Sequence, residues 1–150
     1  MAVLLGVLAA SASLPISASA QVRVEDAWVR GTVPAQRATG AFMKLTAPTD
    51  ASLVSAASPV AAQVEIHESS MQGGVMQMRP APRIALPANK PVELKPGGYH
   101  IMLMGLTQEV RAGADVPIAL TIENRDGTRS VVNVVARARA LTDAGHGSKH

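Results

Sequence analysis

The sequence predicts an all-β fold, either a β-sandwich or a small Greek-key barrel. Apolar and polar residues alternate with a period of two in one segment after another. No segment carries a helical apolar stripe longer than about two turns. Residues that favour turns separate the segments at short and regular spacings. Many short strands divided by turns are typical of antiparallel sandwiches and barrels.

The strand candidates follow one another from residue 22 to residue 138. The first contains Val22, Val24 and Trp28, which a regular strand would place on one side. The later candidates are 40–46, 53–57, 63–67, a hairpin partner after Gly73-Gly74, 99–104, 116–122 and 131–138. The turns between them are expected at Pro48-Thr49-Asp50, Gly73-Gly74, Pro96-Gly97-Gly98 and Arg125-Asp126-Gly127.

Length and composition limit the kinds of protein this can be. The chain has 150 residues, which corresponds to one domain, and only 2% of them are aromatic, so the core must be aliphatic. There is no cysteine, which excludes disulfide scaffolds, iron–sulfur clusters, thiolate zinc sites, cysteine nucleophiles and blue-copper centres. Seven methionines and four histidines remain as soft and borderline metal ligands.

The charge pattern argues against a nucleic-acid partner. The net charge is +3, from 14 basic and 11 acidic residues, and the basic residues are scattered along the chain. Nucleic-acid binding would require clustered Lys and Arg together with aromatic side chains for stacking. We therefore expect a protein with ordinary surface charge and no nucleic-acid ligand.

The first twenty residues have the features of a secretory signal peptide. Residues 1–20 contain no charged side chain and end in the small-x-small sequence Ala18-Ser19-Ala20. The continuous apolar run is about nine residues, whereas a membrane-spanning helix needs about twenty. We expect cleavage after Ala20, a periplasmic monomer with no stable membrane insertion, one domain at 21–141 and a flexible tail at 142–150.

Two histidines and two methionines are candidates for a metal site. His67 and Met78 are equidistant from the midpoint of Gln72-Gly73. A tight turn centred there would place the two side chains directly opposite each other, on one face and about 5 Å apart at Cβ. His100 and Met102 are two residues apart in another strand, so they project to the same side. The two segments together would form a site of two imidazoles and two thioethers.

This ligand set favours Cu(I). Thioethers are soft, neutral donors that bind Cu(I) well and bind Mg²⁺ or Ca²⁺ poorly, and zinc would require a carboxylate or thiolate. The other methionines in the region, Met71, Met76 and Met104, are expected to fill the core. Glu65 and Glu68 flank His67 and either orient the ligands or act as solvated strand charges, the second being favoured.

The spacing of these four residues resembles that of a known family. His67, Met78, His100 and Met102 match the H-x10-M-x21-H-x-M pattern of the periplasmic copper chaperones called PCu(A)C. Further similarity lies in 26–30 (DAWVR), 64–68 (VEIHE), 74–79 (GVMQMR) and 94–106 (LKPGGYHIMLMGL). The resemblance implies a cupredoxin-like β-sandwich that binds one Cu(I) through these four residues. It also implies delivery to the Cu(A) centre in the copper-accepting subunit of cytochrome c oxidase, in some members beside a thiol-bearing partner chaperone.

Other functions stay open at this point. No general base, nucleophile or paired carboxylate lies near the motif, so we expect no enzymatic activity. An enzyme with copper at an N-terminal histidine is disfavoured because cleavage would expose Gln21. A copper-storage or resistance protein and a metal-free structural sandwich remain alternatives. His146 and His150 in the tail are candidates for a weak accessory Cu(II) site.

Overall fold

The computed structural model describes residues 21–141, and their secondary structure consists of ten β-strands. The strands are β1 (Arg23–Arg30), β2 (Ala38–Thr46), β3 (Ala51–Ala57), β4 (Ala61–Gln72), β5 (Val75–Pro80), β6 (Ile84–Leu86), β7 (Val92–Leu94), β8 (Tyr99–Leu106), β9 (Asp115–Asn124) and β10 (Arg129–Arg139). The predicted all-β class is confirmed. The two three-residue strands β6 and β7 were not predicted, because so short a segment has no measurable periodicity. Within 21–141, no helix is long and apolar enough to cross a membrane.

Hydrogen bonds connect the strands into one open sheet. Its order is β5-β4-β8-β2-β1-β10-β9-β3-β6, and β7 pairs with β2 beside the path. β1 and β10 run parallel, and the other named strand pairs of the described chain are antiparallel. Strand β8 therefore lies between β4 and β2, well inside the sheet, whereas β5 forms an edge.

A single aliphatic core holds the sheet together. Ile101 and Leu103 of β8 belong to the same buried cluster as Leu53 of β3 and Leu120 of β9. These strands lie towards opposite ends of the sheet order, so the sheet curves until its two halves pack against each other. Burying each such side chain contributes about 1.5–3 kcal/mol. No residue of β5 belongs to this cluster.

A β-bulge in β1 corrects one detail of the predicted strands. Asp26 has a positive φ of 51°, and the pairing with β2 shifts by one residue before Trp28. Val24 therefore pairs with the core residue Leu45, whereas Trp28 pairs with Phe42 and stacks on it. An extra residue in a strand reverses the side to which every later side chain points. The prediction that Val24 and Trp28 share one side is wrong for this reason.

Candidate metal centre

The β4–β5 hairpin carries His67 and Met78 on one face, but they are not direct partners. Gly73 and Gly74 have φ angles of 58° and 79°, as a two-residue type I′ turn requires. The turn lies at Gly73-Gly74, one of the predicted turns, and not at the midpoint of Gln72-Gly73 that direct opposition would require, so His67 pairs with Pro80, and Met78 with Ser69. The predicted direct opposition is wrong. Met78 pairs with Ser69, which is two residues from His67, so the two predicted ligands still lie on the same face. They are diagonal neighbours, about 7–8 Å apart at Cα.

Strand β8 brings the second histidine to the first. His67 and His100 are direct cross-strand partners, and their rings are 5.8 Å apart between centroids at an angle of 65°. Met102 pairs with Glu65, two residues from His67 on the same face. The pair of imidazoles is thus flanked along the strands by Met102 on one side and by Met78 on the other. All four predicted ligands lie on one face of the sheet.

His100 has one imidazole nitrogen that no other described residue contacts by a hydrogen bond. Its side chain is buried, and its Nδ1 lies 3.1 Å from the carbonyl oxygen of Gly98. A carbonyl can only accept, so Nδ1–H donates, and the lone pair of the neutral ring is on Nε2. This Nε2 is buried and has no partner among the described residues. Burial lowers the pKa of His100 below its usual value, and the Gly98 hydrogen bond only partly opposes this effect.

The turn before β8 fixes the orientation of that ring. Gly97 has a φ of 85°, which glycine adopts at little cost. The next carbonyl, that of Gly98, accepts hydrogen bonds from His100 and from the backbone N–H of Ser69 on β4, the latter at 3.0 Å. The Pro96-Gly97-Gly98 turn was predicted, but its role in holding the imidazole depends on the pairing of β8 with β4.

Glu65 orients the other histidine. Its carboxylate lies 2.7 Å from Nε2 of His67 and is also contacted by the amide of Gln63. A carboxylate can only accept a hydrogen bond, so Nε2–H of His67 donates to it, and the free lone pair of a neutral His67 is on Nδ1. Glu68 instead pairs with Arg79 at 3.2 Å on the surface. The favoured expectation of a solvated charge therefore fits Glu68 and is wrong for Glu65.

Three of the four candidate ligands line a common cleft. Met78, His100 and Met102 border a cavity of about 350 Å³ between the hairpin, β8 and β2. His67 does not line this cavity. Its ring lies next to that of His100, which does. Met78 is 58% exposed on the edge strand, whereas His100 is buried. The candidate site is thus open to solvent on the side of Met78 and buried on the side of His100.

An aromatic wall beside the site was not predicted. Phe42 lines the cleft, its ring lies 6.2 Å from that of His100, and Trp28 stacks on it at 4.5 Å. The guanidinium groups of Arg30 and Arg139 lie over Phe42 and Trp28, at 5.7 and 4.9 Å from the ring centroids. The sequence offered one signal for this wall, since Trp28 and Phe42 are two of only three aromatic residues in the chain.

The other methionines and histidines singled out in the sequence fall in different places. Met71 and Met76 are exposed on the hairpin, and Met104 is partly buried on the same face of β8 as Met102, outside the core cluster. The prediction that these three fill the core is wrong, and Met43 is the methionine that does so. His146 and His150 lie outside the described residues.

Comparison with known proteins identifies the family. Residues 22–135 match the model of the family described as "Putative lipoprotein LpqE-like". The chain belongs to the LpqE-like family. One relative is "Putative lipoprotein Lxx21020" of Leifsonia xyli subsp. xyli (strain CTCB07). It is 34% identical over 140 residues, which cover 89% of this chain and 83% of that protein.

Solved structures show that this LpqE-like protein has the fold of PCuAC domains. The copper-bound PCuAC domain from PmoF2 matches with a TM-score of 0.63 and 19% identity, over 82% of this chain and 96% of that domain. The solution structure of CuI-DR1885 from Deinococcus radiodurans matches with a TM-score of 0.54 and 30% identity, over 86% of this chain and 81% of that one. Both of these similar structures contain copper.

Proposed function

We propose that this protein is an exported copper chaperone that binds one Cu(I) through His67, Met78, His100 and Met102. One observation carries the proposal, namely the buried Nε2 of His100, which has no hydrogen-bond partner within residues 21–141 and lies beside Met78 and Met102 in one cleft. A buried imidazole nitrogen without a partner is costly unless a ligand satisfies it. The similarity to CuI-DR1885 supports the choice of metal, and the lipoprotein names of the relatives support export.

The donor set suits a carrier of Cu(I). Both imidazoles and both thioethers are neutral, and thioethers prefer soft ions. Nδ1–H of His100 is held by Gly98, so Nε2 is the donor atom on that ring. Glu65 holds Nε2 of His67, so Nδ1 is the donor there. These two hydrogen bonds fix the orientation of both rings before the metal arrives, which raises affinity, and the Glu65 carboxylate also makes the His67 ring a stronger donor.

The exposure of the four ligands suits release as well as binding. Met78 is on an edge strand and more than half exposed, so a thiolate from another protein can approach the copper from this side. A thiolate is a stronger ligand for Cu(I) than a thioether, so it can replace Met78 first. His100 is buried, so its bond to copper would be the last to be replaced. Copper would therefore pass to the acceptor through intermediates that share ligands from both proteins, and it remains Cu(I) throughout.

The recipient we propose is the Cu(A) centre of cytochrome c oxidase, with a thiol-bearing chaperone as a further partner. The H-x10-M-x21-H-x-M spacing supports this choice, because it resembles that of PCu(A)C chaperones. Nothing in the donor set calls for a catalytic step, and we propose a carrier that is not an enzyme. The periplasm is the compartment in which such a transfer would take place.

A transfer experiment tests the proposal. The Cu(I)-loaded protein is mixed anaerobically with the apo copper-binding domain of the oxidase subunit, the two are separated, and copper is measured in each. The proposal predicts one copper per protein before mixing and its movement to the acceptor afterwards. Copper that binds at one equivalent and stays with this protein would instead indicate storage.

A further inference from the structure

The turn end of the β4–β5 hairpin carries two methionines that the four-ligand site does not use. Met71 and Met76 are direct cross-strand partners, and they are 62% and 50% exposed. Cβ atoms of such partners are about 4.5–5.5 Å apart. The methionine side chain has three rotatable bonds, so both sulfur atoms can reach one ion between them.

Burial in the core does not explain why positions 71 and 76 carry large apolar side chains. Every residue of β5 is exposed, and neither Met71 nor Met76 belongs to the hydrophobic core. Val75 beside them is exposed as well. Large apolar side chains gain stability from burial, and these side chains do not obtain it. What they offer to solvent is a pair of thioether sulfur atoms.

The pair also lies on the path to the candidate metal centre. Met76 is two residues from Met78 on β5, so both project to one face at a spacing of about 7 Å. Met76 itself lines the cleft together with Met78, His100 and Met102. Met76 therefore places a thioether between the turn of the hairpin and the proposed ligands in the cleft.

We propose that Met71 and Met76 form a second, weaker site for a soft monovalent cation, through which Cu(I) passes on its way into and out of the cleft. This role rests on the proposed function. Two thioethers bind Cu(I), but without imidazoles they bind it less tightly than the four-ligand site. An ion held there moves to Met78 by exchange of one sulfur ligand for the next. The oxidation state does not change at any step.

The methyl groups of the methionines report both sites in one titration. The protein is labelled with ¹³C at the methionine methyls and titrated with Ag(I), a soft d¹⁰ cation that does not change oxidation state. The first equivalent is expected to shift the Met78 and Met102 resonances, and the second those of Met71 and Met76. Met43 is buried in the core and serves as the internal reference.

A double variant links the second site to copper uptake. Met71→Leu/Met76→Leu keeps the size and apolar character of both side chains and removes both sulfur atoms. It is expected to lose the second Ag(I) equivalent, keep the first, and take Cu(I) from a chelator more slowly than the parent. Met104→Leu is the matched control and should change neither measurement.

Two failures can be told apart. If the first equivalent leaves Met78 and Met102 unshifted, the proposed function itself is wrong. If the first equivalent binds as expected but Met71 and Met76 stay unshifted by the second, the further site is wrong. A hairpin end that serves only to contact another protein would give this second result. An uptake rate that is unchanged in the double variant also contradicts the proposal.

Discussion

Replacing Met102 by leucine should separate copper binding from folding. Leucine has nearly the volume of methionine, so Met102→Leu should destabilise the fold by less than about 1.5 kcal/mol. Residues that merely orient a metal ligand change affinity by about 10–100-fold when they are removed. Removing a ligand should therefore weaken Cu(I) binding by at least ~100-fold, which corresponds to about 2.8 kcal/mol.

Met104 provides the matched control. It lies two residues further along β8, on the same face and partly buried like Met102, but it does not line the cleft. Met104→Leu should change the Cu(I) affinity by less than about threefold, or ~0.7 kcal/mol. Both affinities can be measured anaerobically by competition with a coloured Cu(I) chelator, and circular dichroism checks that both variants fold. Equal losses from the two substitutions would refute the assignment of Met102 as a ligand.

Three other outcomes are expected. Glu65→Ala should weaken Cu(I) binding by about 10–100-fold in the same competition assay, because His67 loses the carboxylate that orients its ring, and an unchanged affinity would contradict that role. Burial lowers the pKa of His100 in the folded apo protein, so the unfolded chain binds more protons below its own pKa of about 6.5. The free energy of unfolding should then be highest above this pH, and it should decrease as the pH falls towards the pKa of His100 in the folded protein. Urea midpoints at several pH values test this, and His100→Gln should show a smaller pH dependence than the parent. Truncation after Leu141 should abolish any second Cu(II) equivalent and leave one Cu(I), whereas identical Cu(II) binding by the truncated chain would show that 142–150 hold no metal.

The strands could be predicted because their periodicity is local. Alternation in β8 correctly placed Ile101 and Leu103 in the core and Met102 on the opposite face. The same reasoning failed in β1, where the bulge at Asp26 reverses the alternation before Trp28. A bulge is set by pairing with the neighbouring strand and leaves little trace in composition.

The candidate site was predictable in its residue types but not in its contacts. The turn at Gly73-Gly74 was predicted correctly, but the equal spacing of His67 and Met78 from Gln72-Gly73 also suggested a turn centred one residue earlier. Only the positive φ angles of the two glycines decide between them. Moving the centre of the turn by one residue changes the strand pairing by two positions. Side chains alternate with a period of two, so His67 and Met78 stay on one face.

Burial at the site depends on contacts that are distant in sequence. Nε2 of His100 is buried and has no partner in the described part of the chain because β8 lies between β4 and β2, with Phe42 beside the ring. The hydrogen bond from His67 to Glu65 likewise selects one of two acidic neighbours that look equivalent in the sequence. Neither feature has a local sequence signal, so the structure was needed to find both.

X-ray absorption at the copper edge tests the central claim most directly. The protein is loaded anaerobically with one equivalent of Cu(I), and the ligand atoms around the metal are identified and counted. We predict a Cu(I) edge with two nitrogen and two sulfur neighbours, and one fewer sulfur in both Met78→Leu and Met102→Leu but not in Met104→Leu. Copper surrounded by nitrogen and oxygen alone, or a sulfur count that none of these substitutions changes, would contradict the proposed site.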